Sequence, residues 1–283
     1  MRGEMLKVGQ FRVHCIVENR FHLDAGGVYG IVPRSIWSRL QQADDNNLLP
    51  FDTNVFLLQA HGKNIIFDVG LGDFLEEKQR KLYGCEKPSN LVPGLAALGL
   101  QPEEVDYVLL SHLHWDHVGG CIKQVDGIAA PVFPNARHYV HADEWQDAMN
   151  PDERTVGVYF PDRLRALENA GLLQRIDKDT EVLPGVKLVK IGGHTRGQLG
   201  VEVEAGGEKL IYYADNFLSC HHLKIPYVPA SDLFPLDTQR CKRETLPRAA
   251  EGGWYVAMDH DIENKVVKIN YDGLKYRCVK VEI

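Results

Sequence analysis

No run of about eighteen consecutive apolar residues occurs in the chain, so no segment reads as a bilayer-crossing helix and no membrane partner is expected. The opening MRGEMLKVGQFRVHCIVENR has neither an apolar core nor a small-residue cleavage site, so no secretory signal is expected. No Cys-x-x-Cys pair exists among the six cysteines, Cys15, Cys85, Cys121, Cys220, Cys241 and Cys278. In 283 residues that scatter excludes a disulfide-dense scaffold and fits reduced thiols, buried as small hydrophobes, in a cytoplasmic protein. Positive charge is not in surplus: 32 Lys and Arg stand against 39 Asp and Glu, a formal charge of −7. Bulk electrostatic attraction to nucleic acid is excluded as a driving force, and no nucleic-acid partner is expected. There is no internal repeat, no low-complexity tract and no Pro/Gly/Ser linker, so residues 1–283 read as one domain. What remains, with 44% apolar and 25% charged residues, is the composition of an ordinary globular enzyme.

Short β-branched runs recur along the whole length. Asn54 to Gln59 and Asn64 to Asp68 flank a Gly-containing turn and read as a hairpin. Val105 to Ser111 is a continuous apolar run, the pattern of a strand buried on both faces. Further strands are expected at Val186–Ile191, Leu199–Glu204, Lys209–Ala214, Trp254–Met258, Val266–Asn270 and Tyr276–Ile283. Helical patterns fall at Phe74–Leu82, Pro93–Leu98, Ala142–Ala148, Pro161–Ala170 and Asp237–Ala250. Strands and helices mix throughout, which predicts α/β or α+β layers.

The informative stretch follows the buried strand: Ser111-His-Leu-His-Trp-Asp-His117, then Val118-Gly119-Gly120. His112 and His114 are two apart and project to one side of an extended segment, where they can grip one cation. Asp116 and His117 come after the chain has begun to turn and can aim at a second. Gly119 and Gly120 permit a tight bend and close backbone approach. Imidazole and carboxylate suit Zn²⁺ and other borderline divalent ions. Other candidate ligands also end apolar runs: His194 in Gly-Gly-His-Thr-Arg-Gly, Asp215 after Lys209–Ala214, and Asp259-His260-Asp261 after Tyr255–Met258.

HLHWDH, GGHTRG, YYAD and MDHD, in this order, resemble the metallo-β-lactamase superfamily. The motifs span Asp68 to His260. The resemblance implies an α+β fold, a four-layer αβ/βα sandwich of two mixed sheets flanked by helices, with metals at one sheet edge. It implies that His112, His114 and His194 hold one divalent metal ion, that Asp116, His117 and His260 hold a second, and that Asp215 bridges both. Asp68, in the Asp-x-Gly turn Asp68-Val-Gly70, would orient a ligand histidine. Two ions, zinc in the first instance and Fe or Mn as alternatives, would generate a metal-bound hydroxide to attack a small ester-like substrate, a lactone, ester or thioester. Asp116 would serve as the catalytic proton acceptor.

Within the superfamily the chain is similar to the lactonase and organophosphate-hydrolase branch. It lacks the flavin domain, helical C-terminal region or nucleic-acid-binding arm of other branches. Residues 1–50 are expected as an N-terminal extension that joins the sheet and forms part of the pocket wall, with Tyr29 and Trp37 as apolar substrate contacts. His221 and His222, on the loop leaving Asp215, are expected to reach a substrate oxygen. Lactonases of that branch carry Tyr three residues after the bridging Asp, where this chain has Leu218. The alternative readings are a persulfide-dioxygenase-like oxidoreductase with one iron and a phosphotriester hydrolase. The expected partner is a small-molecule substrate; the resemblance allows a homodimer, and no interface is visible in the sequence.

Overall fold

The structure, a computed structural model, describes residues 5–73, 75–85 and 88–283. β1 (Leu6–Val8) and β2 (Phe11–Asp24) lead into two short helices, α1 (Ala25–Tyr29) and α2 (Arg34–Trp37), and then into the hairpin of β3 (Leu48–Ala60) and β4 (Lys63–Phe67). α3 (Glu77–Leu82) and α4 (Leu91–Ala97) precede β5 (Tyr107–Leu109), and α5 (Trp115–Val118) follows it. Next come β6 (Ile122–Val125), β7 (Ile128–Pro131), β8 (Arg137–His141), α6 (Ala142–Met149), α7 (Pro161–Asn169) and β9 (Leu173–Ile176). β10 (Thr180–Leu183), β11 (Val186–Lys190), β12 (Leu199–Ala205) and β13 (Glu208–Tyr212) form a meander. The long helix α8 (Pro235–Gly252) then returns the chain to β14 (Tyr255–Ala257), β15 (Val266–Tyr271) and β16 (Tyr276–Val281).

Among the described residues the strands build two seven-stranded sheets, β1-β2-β3-β4-β5-β8-β9 and β10-β11-β12-β13-β14-β15-β16, with β6 and β7 as a separate hairpin. Alternation along each strand decides the layers, because successive side chains point to opposite faces. In β3, Phe56 and Leu58 pack with Val201, Val203 and Tyr212 of the second sheet. Val55 and Leu57 turn the other way, into a core shared with Leu91 and Leu95 of α4, Trp145 of α6 and Leu164 of α7. In β13, Leu210 and Tyr212 join the core between the sheets, whereas Ile211 packs with Leu246 and Ala249 of α8. The order is therefore helices, sheet, sheet, helix, which is the four-layer αβ/βα sandwich with two mixed sheets.

Several details differ from the sequence reading. The apolar run Val105–Ser111 contributes a three-residue strand, because Ser111 leaves the ladder to donate its amide to Asp68. The N-terminal hairpin of β2 and β3 is far longer than the alternating pattern around residues 54–59 indicates. The start of the expected helix at Phe74 lies outside the described residues, and α3 begins at Glu77. The expectation of six reduced thiols is corrected: Cys220 and Cys278 form a disulfide, with Cα atoms 6.0 Å apart. β16 runs beside the turn that carries Cys220, a proximity invisible in a sequence separation of 58. Cys15, Cys85, Cys121 and Cys241 are free.

Gly119 and Gly120 act through close approach. The loop after β4 presses on them so tightly that a Cβ at Gly119 would collide with the Leu71 carbonyl, and one at Gly120 with the Val69 carbonyl. This contact docks the turn carrying the histidine motif onto the turn carrying Asp68. Gly119→Ala is expected to cost about 1–3 kcal/mol of stability through overpacking against backbone. The measurement is the urea midpoint at unchanged slope, and a wild-type midpoint would show that the two turns are not locked together.

Candidate metal centre

β4 and β5 are parallel, as are β13 and β14. β11 is antiparallel to β12, which is antiparallel to β13, so β11 and β13 also share a direction. The C-terminal ends of these strands deliver Asp68, the His112–His117 motif, His194, Asp215 and His260 to one edge of the sandwich. Ligand-bearing loops at strand ends are what an edge site between two sheets requires. Ala214 has a left-handed φ of +43°, a turn that separates Asp215 from the direction of β13.

The outer nitrogen of each of four histidines is held from behind. His117 Nδ1 bonds Asp68 Oδ2 at 3.0 Å, His194 Nδ1 bonds Asp232 Oδ1 at 2.8 Å, His260 Nδ1 bonds the Asp52 carbonyl at 2.9 Å, and His112 Nδ1 lies 3.0 Å from Ser111 Oγ. The Nε2 atoms of these four therefore turn inward, while His114 presents Nδ1, 2.9 Å from His194 Nε2. Asp215 divides the cluster. Its Oδ2 lies 2.9 Å from His194 Nε2 and 3.8 Å from His112 Nε2, and its Oδ1 lies 3.3 Å from His260 Nε2 and 3.6 Å from His117 Nε2. Asp116 Oδ2 is 3.7 Å from His260 Nε2 and 3.8 Å from His117 Nε2.

Two four-residue groups of donor atoms result, each within 4.8 Å: His112, His114, His194 and Asp215, and His117, Asp215, Asp259 and His260; a third group, Asp68, His112 and His117, shares a histidine with each. Inside them His112 Nε2, His117 Nε2 and Asp215 Oδ1 are buried without a hydrogen-bond partner. Buried polar atoms left so are costly, and convergent nitrogen and carboxylate donors are relieved by a divalent cation at their centre. The donor set fits divalent metals. The structure thus brings together His112, His114, Asp116, His117, His194, Asp215 and His260, with Asp68 behind His117.

The electrostatics of the metal-free cluster are split. Burial and the neighbouring imidazoles of His117, His114 and His194 hold His112 well below the usual histidine range. Burial and His194 do the same to His114. At His194 burial is outweighed by the carboxylates of Asp215 and Asp232, which take it up to about 10. At His260 burial is outweighed by Asp259 and Asp215, which take it up to about 9.

A cavity of about 470 Å³ opens over the cluster and is lined by His114, Asp116, His194, Asp215 and His260 at its floor. Leu23, Val28, Trp115, Val158, Leu218 and Leu233 supply apolar wall, with Tyr83 and Arg154 among the polar groups. The four expected substrate contacts do not line it. Tyr29 and Trp37 are buried and stacked on each other with ring centroids 5.4 Å apart, and His222 stacks on Tyr29 at 5.1 Å. His222 bonds Ser219 Oγ and the Val28 carbonyl, so its ring is spent inside the wall. His221 lines a different cavity, of about 390 Å³, shared with Asp261 and Asn264. The stack and two hydrogen bonds hold His222 in the wall, and His221 opens onto the neighbouring cavity, whose lining also includes His260.

Residues that the sequence did not single out carry much of the support. Glu144 is buried, accepts Leu113 N and Tyr159 Oη at 2.9 Å, and accepts Thr195 Oγ1 at 2.6 Å, so one carboxylate joins the loops of two ligand motifs. Its place on the apolar face of α6, one turn before Ala148, is the one sequence signal that a polar group there has partners. Asp232 sits in a loop with no spacing signal. Arg154 donates to the Ala230 carbonyl at the cavity mouth.

Imidazoles gathered with carboxylates at one edge of a four-layer sandwich, beneath an open cavity, make a candidate site for divalent metal ions. The sequence model of the Metallo-beta-lactamase superfamily matches residues 48–267, and the chain belongs to that superfamily. It is 28% identical over 174 residues to the N-acyl homoserine lactonase AiiB of Agrobacterium fabrum, covering 56% of this chain but only 60% of that relative. It is 25% identical over 235 residues to an N-acyl homoserine lactonase of a Bacillus species, covering 77% of this chain and 84% of the relative. A crystal structure described as "a probable metal-dependent hydrolase from Staphylococcus aureus" superposes with a TM-score of 0.89 at 29% identity, covering 98% of this chain and 99% of that one. The fold is also that of AidC, described as a dizinc quorum-quenching lactonase in complex with a product, with a TM-score of 0.82 at 18% identity over 99% and 97% of the two chains.

Two outcomes follow from the geometry. Cations bind neutral imidazole, so at neutral pH they must displace protons from His194 and His260, whose values are raised to about 10 and about 9, and from His117, which Asp259, Asp116 and Asp215 hold well above the usual histidine range despite its burial. Loading the metal-free protein at pH 7 should release about three protons per chain, and affinity should rise as pH climbs toward those values. The readout is the dependence of calorimetric heat on buffer ionisation enthalpy; heats identical in all buffers would contradict it. Asp232→Ala, which frees His194 Nδ1, should weaken cation binding about 10–100-fold in competition with a chromogenic chelator. Unchanged affinity would mean that His194 needs no orienting group.

Proposed function

We propose that the protein is a dizinc lactonase that opens the ester ring of N-acyl homoserine lactones. The observation that carries this reading is the division of Asp215, one carboxylate oxygen toward each donor group, at the floor of a largely apolar cavity. The names of its relatives support the substrate class, and the cavity walls suit an acyl chain beside a compact polar ring.

His112, His114 and His194, with Asp215 Oδ2, would hold the first ion, and Asp116, His117 and His260, with Asp215 Oδ1, the second. Two zinc ions so held supply Lewis acidity to the ester carbonyl and bring the pKa of water toward neutrality. The chain's own residues do the rest. Asp116 lines the cavity, and its side chain is 12% exposed, against 1% for His117 and His260. Its carboxylate takes the proton released as water adds to the ring carbonyl. When the ring C–O bond breaks, it returns that proton to the departing alkoxide oxygen. Asp68 keeps His117 in the tautomer that presents Nε2 inward. Trp115, Val158 and Leu218 exclude bulk water from the ester and cover the acyl chain.

Turnover should be measured as proton release by zinc-loaded protein against acyl lactones, aryl esters, thioesters and phosphotriesters. Lactones should be the fastest class. Asp116→Ala should lower kcat/KM on them at least about 100-fold. His114→Ala should lower it through loss of an ion, visible in metal content. Turnover of phosphotriesters with silence on every lactone would overturn the substrate assignment.

A further inference from the structure

We propose that Asp259 is a further ligand of the second cation, beyond the seven residues that the motif pattern supplies; this rests on the two-cation reading above. Asp259 follows β14, immediately before His260, and is 3% exposed. One oxygen, Oδ1, lies 3.0 Å from Tyr212 Oη. The other, Oδ2, is buried and accepts no hydrogen bond. It lies 3.3 Å from His260 Nε2, the nitrogen that faces the second donor group, and 3.5 Å from His117 Nδ1. Asp116 Oδ2 stands farther from that same His260 nitrogen, at 3.7 Å.

A buried carboxylate oxygen needs a donor or a cation. The single Tyr212 hydroxyl proton is shared between Asp68 at 2.6 Å and Asp259 Oδ1 at 3.0 Å, with Asp68 the nearer acceptor, and Asp68, not Asp259, holds His117 Nδ1 at the shorter distance of 3.0 Å. Asp259 belongs with His260, His117 and Asp215 to one group of donor atoms within 4.8 Å of one another, and its Oδ2 stands 3.3 Å from His260 Nε2, the nitrogen that would face a cation. The two positions then differ in chemistry. The first has three imidazoles and one carboxylate oxygen; the second has two imidazoles and the carboxylates of Asp116, Asp215 and Asp259. An oxygen-rich position favours harder divalent ions such as Mn²⁺ more than an imidazole-rich one does.

The test titrates metal-free wild type and Asp259→Asn with zinc against a chromogenic chelator, with metal content counted by mass spectrometry. Wild type should take up two ions. In Asp259→Asn the weaker binding step should lose at least about tenfold in affinity, and the tighter step should change by less than about twofold. Unchanged affinity at both steps would show Asp259 to be idle, and equal loss at both would make it a positioning group; either overturns the assignment. If the variant does not fold, a crystal structure of zinc-loaded wild type decides: Oδ2 within about 2.0–2.2 Å of the second ion supports it, and a gap beyond about 3 Å overturns it. A wild-type chain binding fewer than two ions would overturn the two-cation reading and this one with it.

Discussion

The carboxylate of Asp68 receives the Ser111 amide at 2.7 Å, the Ser111 hydroxyl at 2.6 Å, His117 Nδ1 at 3.0 Å and the Tyr212 hydroxyl at 2.6 Å. Those four groups belong to the end of β5, to α5 and to β13. One side chain thus joins the two sheets and the helix that carries Asp116 and His117. Asp68 adopts a φ of +49°, and the surrounding donors hold it there. The same residue ends β5 early by capturing Ser111, and so sends His112 and His114 out of the ladder and into the site. Shape, ligand direction and strand length all follow from where this carboxylate sits.

Around that anchor the two sheets contribute unequally. The first delivers the dense motif His112–His117 from one strand end, and the second delivers His194, Asp215 and His260 from three. Glu144 and Asp232 then tie His114's loop and His194 to neighbouring elements. These attachments hold five imidazoles close enough to repel one another if charged. The raised values of His194 and His260 are the electrostatic record of the carboxylates gathered there to hold cations. A cation entering the cluster would replace protons on those imidazoles.

Much of the fold was legible in the sequence because alternation and strand-end ligands are local features. HLHWDH declares itself within six residues, and each later ligand closes an apolar run. The layers follow from the same alternation seen at Val55, Phe56, Leu57 and Leu58. What was not legible depends on contacts between distant segments. Asp232 reaches His194 across 38 residues, Glu144 reaches Thr195 across 51, and Cys220 meets Cys278 across 58. No spacing rule brings such pairs together. The length of β2 and β3 was hidden for another reason: polar Glu18, Asn19, Asp52 and Thr53 interrupt the alternation, yet all four are buried and three share hydrogen bonds with one another.

The displaced substrate contacts show how the cavity wall is made. Tyr29 stands between Trp37 and His222, and its hydroxyl donates to Gln41. His222 in turn bonds the Val28 carbonyl, and the Gly27 carbonyl accepts the Ala230 amide. The stack therefore fixes α1 against the segment running from Asp215 to Ser231. Gly27 and Val28 of α1, and Leu218, Pro229 and Ala230 of that segment, are the surfaces a substrate would meet. Residues expected to touch substrate instead hold the backbone of those that line the cavity. The aromatic character that drew attention to Tyr29 and Trp37 is used for packing one layer behind the wall, where stacking confers rigidity and leaves the cavity surface to smaller aliphatic groups.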